Sequence, residues 1–273
     1  MKIYIYTALA IASILLLISL FIKSKKNYDS IEYTLADGQK TNDINELIPE
    51  GRVKFEIKGG DRIPEKANEL HQLGRKFGSQ GKMKEAIDSF NAAIILAPKW
   101  AYPRYDLAFT YQLEGNVDKA LEEYLRVDEM EPNGFFTTKT AIWSLRNEKT
   151  GKFPKGTYSK YLKLEDIDNR EEKLMMALAL TKLFPEYAPA WKECAVLTDE
   201  RAKALQYIEI GLANAPDKET EGVLRLNKAS RLIEVGDKVG GKKILNDLIT
   251  EKDSTDFTKK MASEFLKYED KNQ

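Results

Sequence analysis

The chain has 273 residues, 32% of them charged and 42% hydrophobic, the balance of an ordinary folded protein of one or two domains. Lysine plus arginine equals aspartate plus glutamate at 43 each, so nothing in the net charge draws the chain to nucleic acid or to acidic surfaces. A single cysteine, Cys194, excludes an intrachain disulfide, and with a single histidine, His71, it falls short of the roughly four ligands of a Cys/His zinc site.

The first element is an uncharged run, Ile3 to Ile22. As a helix rising about 1.5 Å per residue it would reach roughly 30 Å, the depth of a bilayer core. Lys2 precedes it, and Lys23, Lys25 and Lys26 follow. A cleaved secretory signal has a shorter apolar core and a small-x-small site, which "LFIKSKK" does not supply. Residues 1–26 therefore predict a transmembrane anchor and a single-pass membrane protein. The count of positive charges slightly favours a cytoplasmic C-terminal part, but the margin is small and the side is left open.

Residues 27–64 form a linker of different texture. Ser30–Leu35 and Arg52–Lys58 alternate apolar and polar residues as half-buried strands do, and "ADGQK" and "KGGDRIP" are turn-rich. A weak hairpin is expected, since two strands alone are marginal.

From Ala67 the pattern becomes helical and repeats. "GKMKEAIDSFNAAIILAP" (81–98) and "GNVDKALEEYLRVDEMEP" (115–132) stand 34 residues apart and share few letters. Yet Gly81 and Gly115, Ala86 and Ala120, Phe90 and Tyr124, and Pro98 and Pro132 keep step. Leu73, Gly74 and Phe77 are likewise followed by Leu107, Ala108 and Tyr111. Apolar residues at three- and four-residue spacing build one face of a helix; glycine permits the turn and proline ends the second helix. Each unit is then a helical hairpin whose apolar face is buried only by stacking on the next.

These residues resemble the tetratricopeptide repeat (TPR) family, with its 34-residue period and its Leu-Gly, Tyr, Ala, Phe, Pro pattern. The tryptophan position of that pattern holds Leu70 and Arg104. The resemblance is specific over 67–100 and 101–134 and looser over about 154–187, 188–218 and 222–255. In the fourth of these units the turn between helices is expected to be about three residues short. A solitary helix is expected near 135–148 and a capping helix near 256–269. The expected fold is an all-α, TPR-like helical-hairpin solenoid over 65–273, preceded by the transmembrane helix and the linker.

Motifs that look chemical fail on spacing. "GDKVGGKK" (236–243) approaches a phosphate-binding loop, but Lys243 replaces the hydroxyl residue that would hold magnesium, and the repeat register accounts for Gly236 and Gly241. "EDIDNREE" (165–172) lacks the third ligand and glycine of a calcium loop and reads as an acidic helix start. Cys194 is expected to be a small core residue far from His71, because each repeat of a solenoid touches only its neighbours. No cofactor, metal, nucleotide or nucleic acid is expected, and no enzyme activity.

The resemblance implies protein–protein interaction through a concave groove lined by the first helix of each hairpin. If Leu73, Gly74 and Phe77 pack inward, Asn68, His71 and Arg75 face that groove. Tyr102, Tyr105 and Phe109 follow on the next first helix, and Phe136 and Lys139 continue the line. Aromatic residues and arginine are common at interaction hot spots. The groove is expected to take an extended or helical apolar segment of a protein, membrane-associated in view of the anchor, unless the chain's own tether or C-terminal helix fills it. A chaperone-tail clamp of the kind some relatives carry would need basic residues where His71, Arg75, Asp106, Phe136 and Thr140 stand. The expected role is a membrane-anchored docking scaffold or assembly factor. The alternatives are a self-associating structural envelope protein and, from another class, an enzyme with an unrecognised site.

Overall fold

The computed structural model describes residues 33–34, 40–41 and 63–271. Two short strands, β1 (Tyr33–Thr34) and β2 (Lys40–Thr41), pair antiparallel with Tyr33 opposite Thr41. The sequence between them contains Asp-Gly at 37–38, a pair common in hairpin connections. The other expected strand, Arg52–Lys58, lies outside the described residues.

Twelve α-helices follow among the described residues. They are α1 (Glu65–Ser79), α2 (Met83–Leu96), α3 (Ala101–Leu113), α4 (Val117–Met130), α5 (Thr138–Lys149) and α6 (Thr157–Leu162), the last running into a 3-10 turn at Lys163–Asp166. Then come α7 (Arg170–Leu183), α8 (Ala188–Leu197), α9 (Arg201–Ala213), α10 (Lys218–Glu234), α11 (Lys238–Thr250) and α12 (Asp256–Lys271).

One expectation is corrected outright. The chain was expected to be a single-pass membrane protein, but among the described residues no helix is long and apolar enough to cross a membrane. The longest, α10 with 17 residues, is amphipathic and charged, whereas a span takes about 20 mainly apolar residues. The run Ile3 to Ile22 lies outside the described residues.

The hairpins show how the repeat is built. Gly81 and Gly115 take φ of 74° and 75°, a left-handed turn that glycine enters without a Cβ penalty. At Gly74 an added Cβ would lie 2.6 Å from the Phe90 ring, so the small residue admits the ring of the opposite helix. Ala86, Ala108, Ala120 and Tyr124 are fully buried at the corresponding contacts. Leu73 departs from the pattern and is exposed; among the described residues no hairpin precedes α1 to cover it. The short fourth unit is also built differently from expectation. Its turn, 198–200, is as long as the turn at 114–116, but α8 has 10 residues where α3 has 13.

The helices form an all-α hairpin solenoid, yet one that touches more than its neighbours. The backbone N–H of Asp256, at the start of α12, donates to the carbonyl of Asn133 at 2.9 Å. Thr140 on α5 reaches Asp217 and Glu219 at the start of α10. The loop between α4 and α5 is thereby held from the C-terminal part of the chain.

Candidate functional site

Helix α3 carries the aromatic residues singled out above, but Tyr102 and Tyr105 do not line an open groove. Phe135 and Phe136 fold back from the loop before α5 and pack on them. Phe135 lies 4.9 Å from Tyr102, and Phe136 lies 5.4 Å from Tyr102 and 5.1 Å from Tyr105, centroid to centroid. These are the offset and edge-on separations that aromatic rings prefer. The Tyr105 hydroxyl is hydrogen-bonded to Thr137 Oγ1 at 2.9 Å, and burial raises its pKa. Among the described residues the aromatic face is covered by the chain's own Phe135-Phe136 pair and not by the C-terminal helix, while the tether lies almost wholly outside the described residues.

Phe136 is the exposed tip of this layer. Its side chain keeps 39% of its surface, and its backbone sits at φ of 48°. A bulky residue in that region is strained, and such strain persists where the surrounding structure over-determines it. Here Thr138 Oγ1 donates to the Phe135 carbonyl at 2.6 Å, and the Asn133 carbonyl is held by α12.

The remaining predicted residues fall into two groups. His71 does not face solvent: it is 2% exposed, with its ring 4.8 Å from Trp100 and its Nε2 2.8 Å from Asp106 Oδ2. The helix phase places it on the α1–α3 contact, where Trp100 and Tyr102 cover it. Arg75 approaches the same carboxylate at 3.7 Å. Asp106 therefore stands where a clamp for an acidic tail would need positive charge. Phe109 is half-buried on α3. Lys139 is half-buried beside Asp128 at 2.6 Å.

Beneath this layer lies a junction that the sequence did not reveal. Asp217 caps α10, accepting from the N–H groups of Glu219 and Thr220 at 3.0 and 3.1 Å. Glu219 in turn accepts from the N–H groups of Lys139 and Thr140 at 3.1 and 3.0 Å, so its carboxyl caps the N-terminus of α5. Thr140 Oγ1 lies 2.9 Å from Asp217 Oδ1 and 3.2 Å from Glu219 Oε2. The Thr140 hydroxyl is thus one donor shared between two carboxyl groups. Burial first, and then neighbouring Asp217, push the Glu219 carboxyl up to about 8. Asp217 Oδ2 is buried without a hydrogen-bond partner. The signal available beforehand was "APDKET" (215–220), an Asp N-cap followed by Glu. Nothing in it named α5 as the recipient.

The other sequence candidates have packing roles. Asp237 caps α11 by accepting from Gly240 N–H at 2.8 Å. A Cβ on Gly241 would meet the Ala229 carbonyl at 2.8 Å, and Lys243 pairs with Asp247. Asn169 caps α7 by accepting from Glu172 N–H at 2.9 Å. Cys194 is fully buried on α8, and burial pushes its thiol up to about 12. His71 and Cys194 belong to separate packing clusters.

No family profile matches the sequence, and no curated protein does. Solved structures that resemble the chain are TPR proteins. A thermophilic TPR protein of Thermus thermophilus is 17% identical over 73% of this chain and 98% of its own, with a TM-score of 0.32. A tetratricopeptide repeat protein of Parabacteroides merdae is 17% identical over 73% of this chain and 84% of its own, with a TM-score of 0.34. The TPR2AB domain of yeast Sti1, in its complex with pHSP90, is 14% identical over 73% of this chain and 86% of its own, with a TM-score of 0.32. Likeness of this degree carries no functional argument. The description of the fold as TPR-like rests on the hairpins, the 34-residue step and the small-residue-to-ring contacts themselves.

Proposed function

We propose that the chain is a non-enzymatic protein–protein interaction scaffold that docks a protein segment on the aromatic layer of its inner face. The reading rests on Phe136, a large apolar side chain 39% exposed and propped on a strained backbone over Tyr102 and Tyr105. A rigid, protruding ring loses little entropy on binding and is a common hot-spot anchor. Lys139, half-buried on the next turn, has its charge already matched within the chain by Asp128 at 2.6 Å. A partner that packs an apolar residue beside Phe136 is the best match. The same layer suits an assembly factor, whose partners engage and leave.

Phe136→Gly removes the ring and relieves the backbone at once, so loss of folding is not expected. Affinity purification of the wild-type chain and of Phe136→Gly, compared by quantitative mass spectrometry, should show partners lost from the variant at unchanged helical content. Identical partner sets would remove the aromatic layer from consideration.

A further inference from the structure

A second interaction surface lies on another part of the molecule. The hairpin that ends at Pro185 has an incomplete first arm, the six residues of α6 and the four of the 3-10 turn, whereas α1 and α3 have 15 and 13 residues. Its second arm, α7, keeps its full 14 residues. Among the described residues one flank of α7 is consequently left without a helix to cover it. There Met176, Ala179 and Leu183 follow one another at helical spacing and stay exposed, with Met176 at 49% and Leu183 at 64%.

This flank and the 3-10 turn enclose a groove of about 260 Å³. Its floor is buried Leu164 and Leu180, and Ile167 closes one end. The lining is otherwise apolar, but two exposed lysines, Lys160 and Lys163, stand on its rim. Neither is in an ion pair among the described residues, whereas many lysines of the chain are paired, as at Lys149–Asp118, Lys218–Asp253 and Lys242–Asp270. The volume falls below the roughly 300–1,000 Å³ of small-molecule pockets and suits a few apolar side chains.

We propose that this groove docks a short amphipathic helix of a partner protein, with apolar anchors on one face and carboxylates beside them. The anchors take the space of the missing helical turns. The carboxylates meet Lys160 and Lys163, which set the orientation and disfavour basic segments. The recognition mode is helix-in-groove, with anchors at three- and four-residue spacing. It is independent of the aromatic layer, and either surface can fail without the other.

The test uses the full-length chain as bait for random peptides displayed on phage, with Met176→Glu/Leu183→Glu as the counter-selecting bait. Circular dichroism first checks that this variant keeps its helicity. Expected is enrichment on the wild type of peptides that combine spaced apolar residues with aspartate or glutamate. Synthetic copies should bind about tenfold more weakly to Lys160→Glu/Lys163→Glu, whose exposed substitutions leave the fold alone. No enrichment over the counter-selecting bait, or enrichment of uncharged or basic peptides, overturns the proposal. So does wild-type self-association by sedimentation that Met176→Glu/Leu183→Glu abolishes, because the groove would then belong to a second copy.

Discussion

The first two hairpins and the junction of α5 with α10 both fix helices against one another, by different chemistry. In the hairpins a small residue admits a ring from the adjacent helix, as Gly74 admits Phe90, and the contact is apolar and close in sequence. At the junction Asp217 and Glu219 cap two helices that are far apart in sequence, with a threonine shared between them. Apolar contacts of the first kind are tolerant of pH and strong per residue. Polar contacts of the second kind give direction and register, and leave an acid with a displaced pKa.

The comparison breaks most visibly at Phe90. Phe90→Ala should cost about 4 kcal/mol of stability by opening a cavity under Gly74, measured by urea unfolding. Exchange of the amide protons of α1 and α2 should rise, while that of α10 and α11 stays near its wild-type rate. A uniform rise along the chain would show that the hairpins do not act locally.

Asp217→Ala should cost less, about 2 kcal/mol, from the lost cap of α10 and the lost bond to Thr140. Part of the loss is offset because Glu219 is freed from a like charge, and its pKa should fall toward the ordinary carboxylate range. Titration of the Glu219 carboxyl by NMR in both proteins checks this.

The smallest effect is the dependence on pH. Between the ordinary carboxylate range and about 8 the folded chain holds a proton on Glu219 that the unfolded chain has released. This contribution to stability is full at acid pH and is lost as pH rises through about 8. Glu219→Gln should flatten that slope of melting temperature against pH, and an unaltered slope would place the proton elsewhere.

The two regions also differ in how far they were legible. The hairpins were readable because Gly74, Ala86, Phe90 and Pro98 repeat at a fixed step, and local periodicity reports local packing. That register also put Tyr102 and Tyr105 on one side of α3, where both meet the Phe135-Phe136 pair. His71 was misplaced, because the pattern gives a helix face and not the neighbour, Trp100, that covers it. The Phe135-Phe136 pair was missed as the occupant, since a left-handed phenylalanine leaves no periodic mark. The caps supplied by Asp217 and Glu219 to α5 join partners that no repeat relates. The truncated arm at α6 could be seen as a break in the pattern, but not the groove it uncovers.

The bond from Asp256 to the Asn133 carbonyl has a consequence for the order of events during synthesis. Hairpins near the N-terminus can pack as soon as they emerge, since their contacts lie close in sequence. The loop that carries Phe136 has one of its supports on the last helix, α12. It gains that support only when α12 has been made and has docked. A chain lacking α12 would have its hairpins but not that support of the aromatic surface, so the surface depends on a helix more than 100 residues further along the chain.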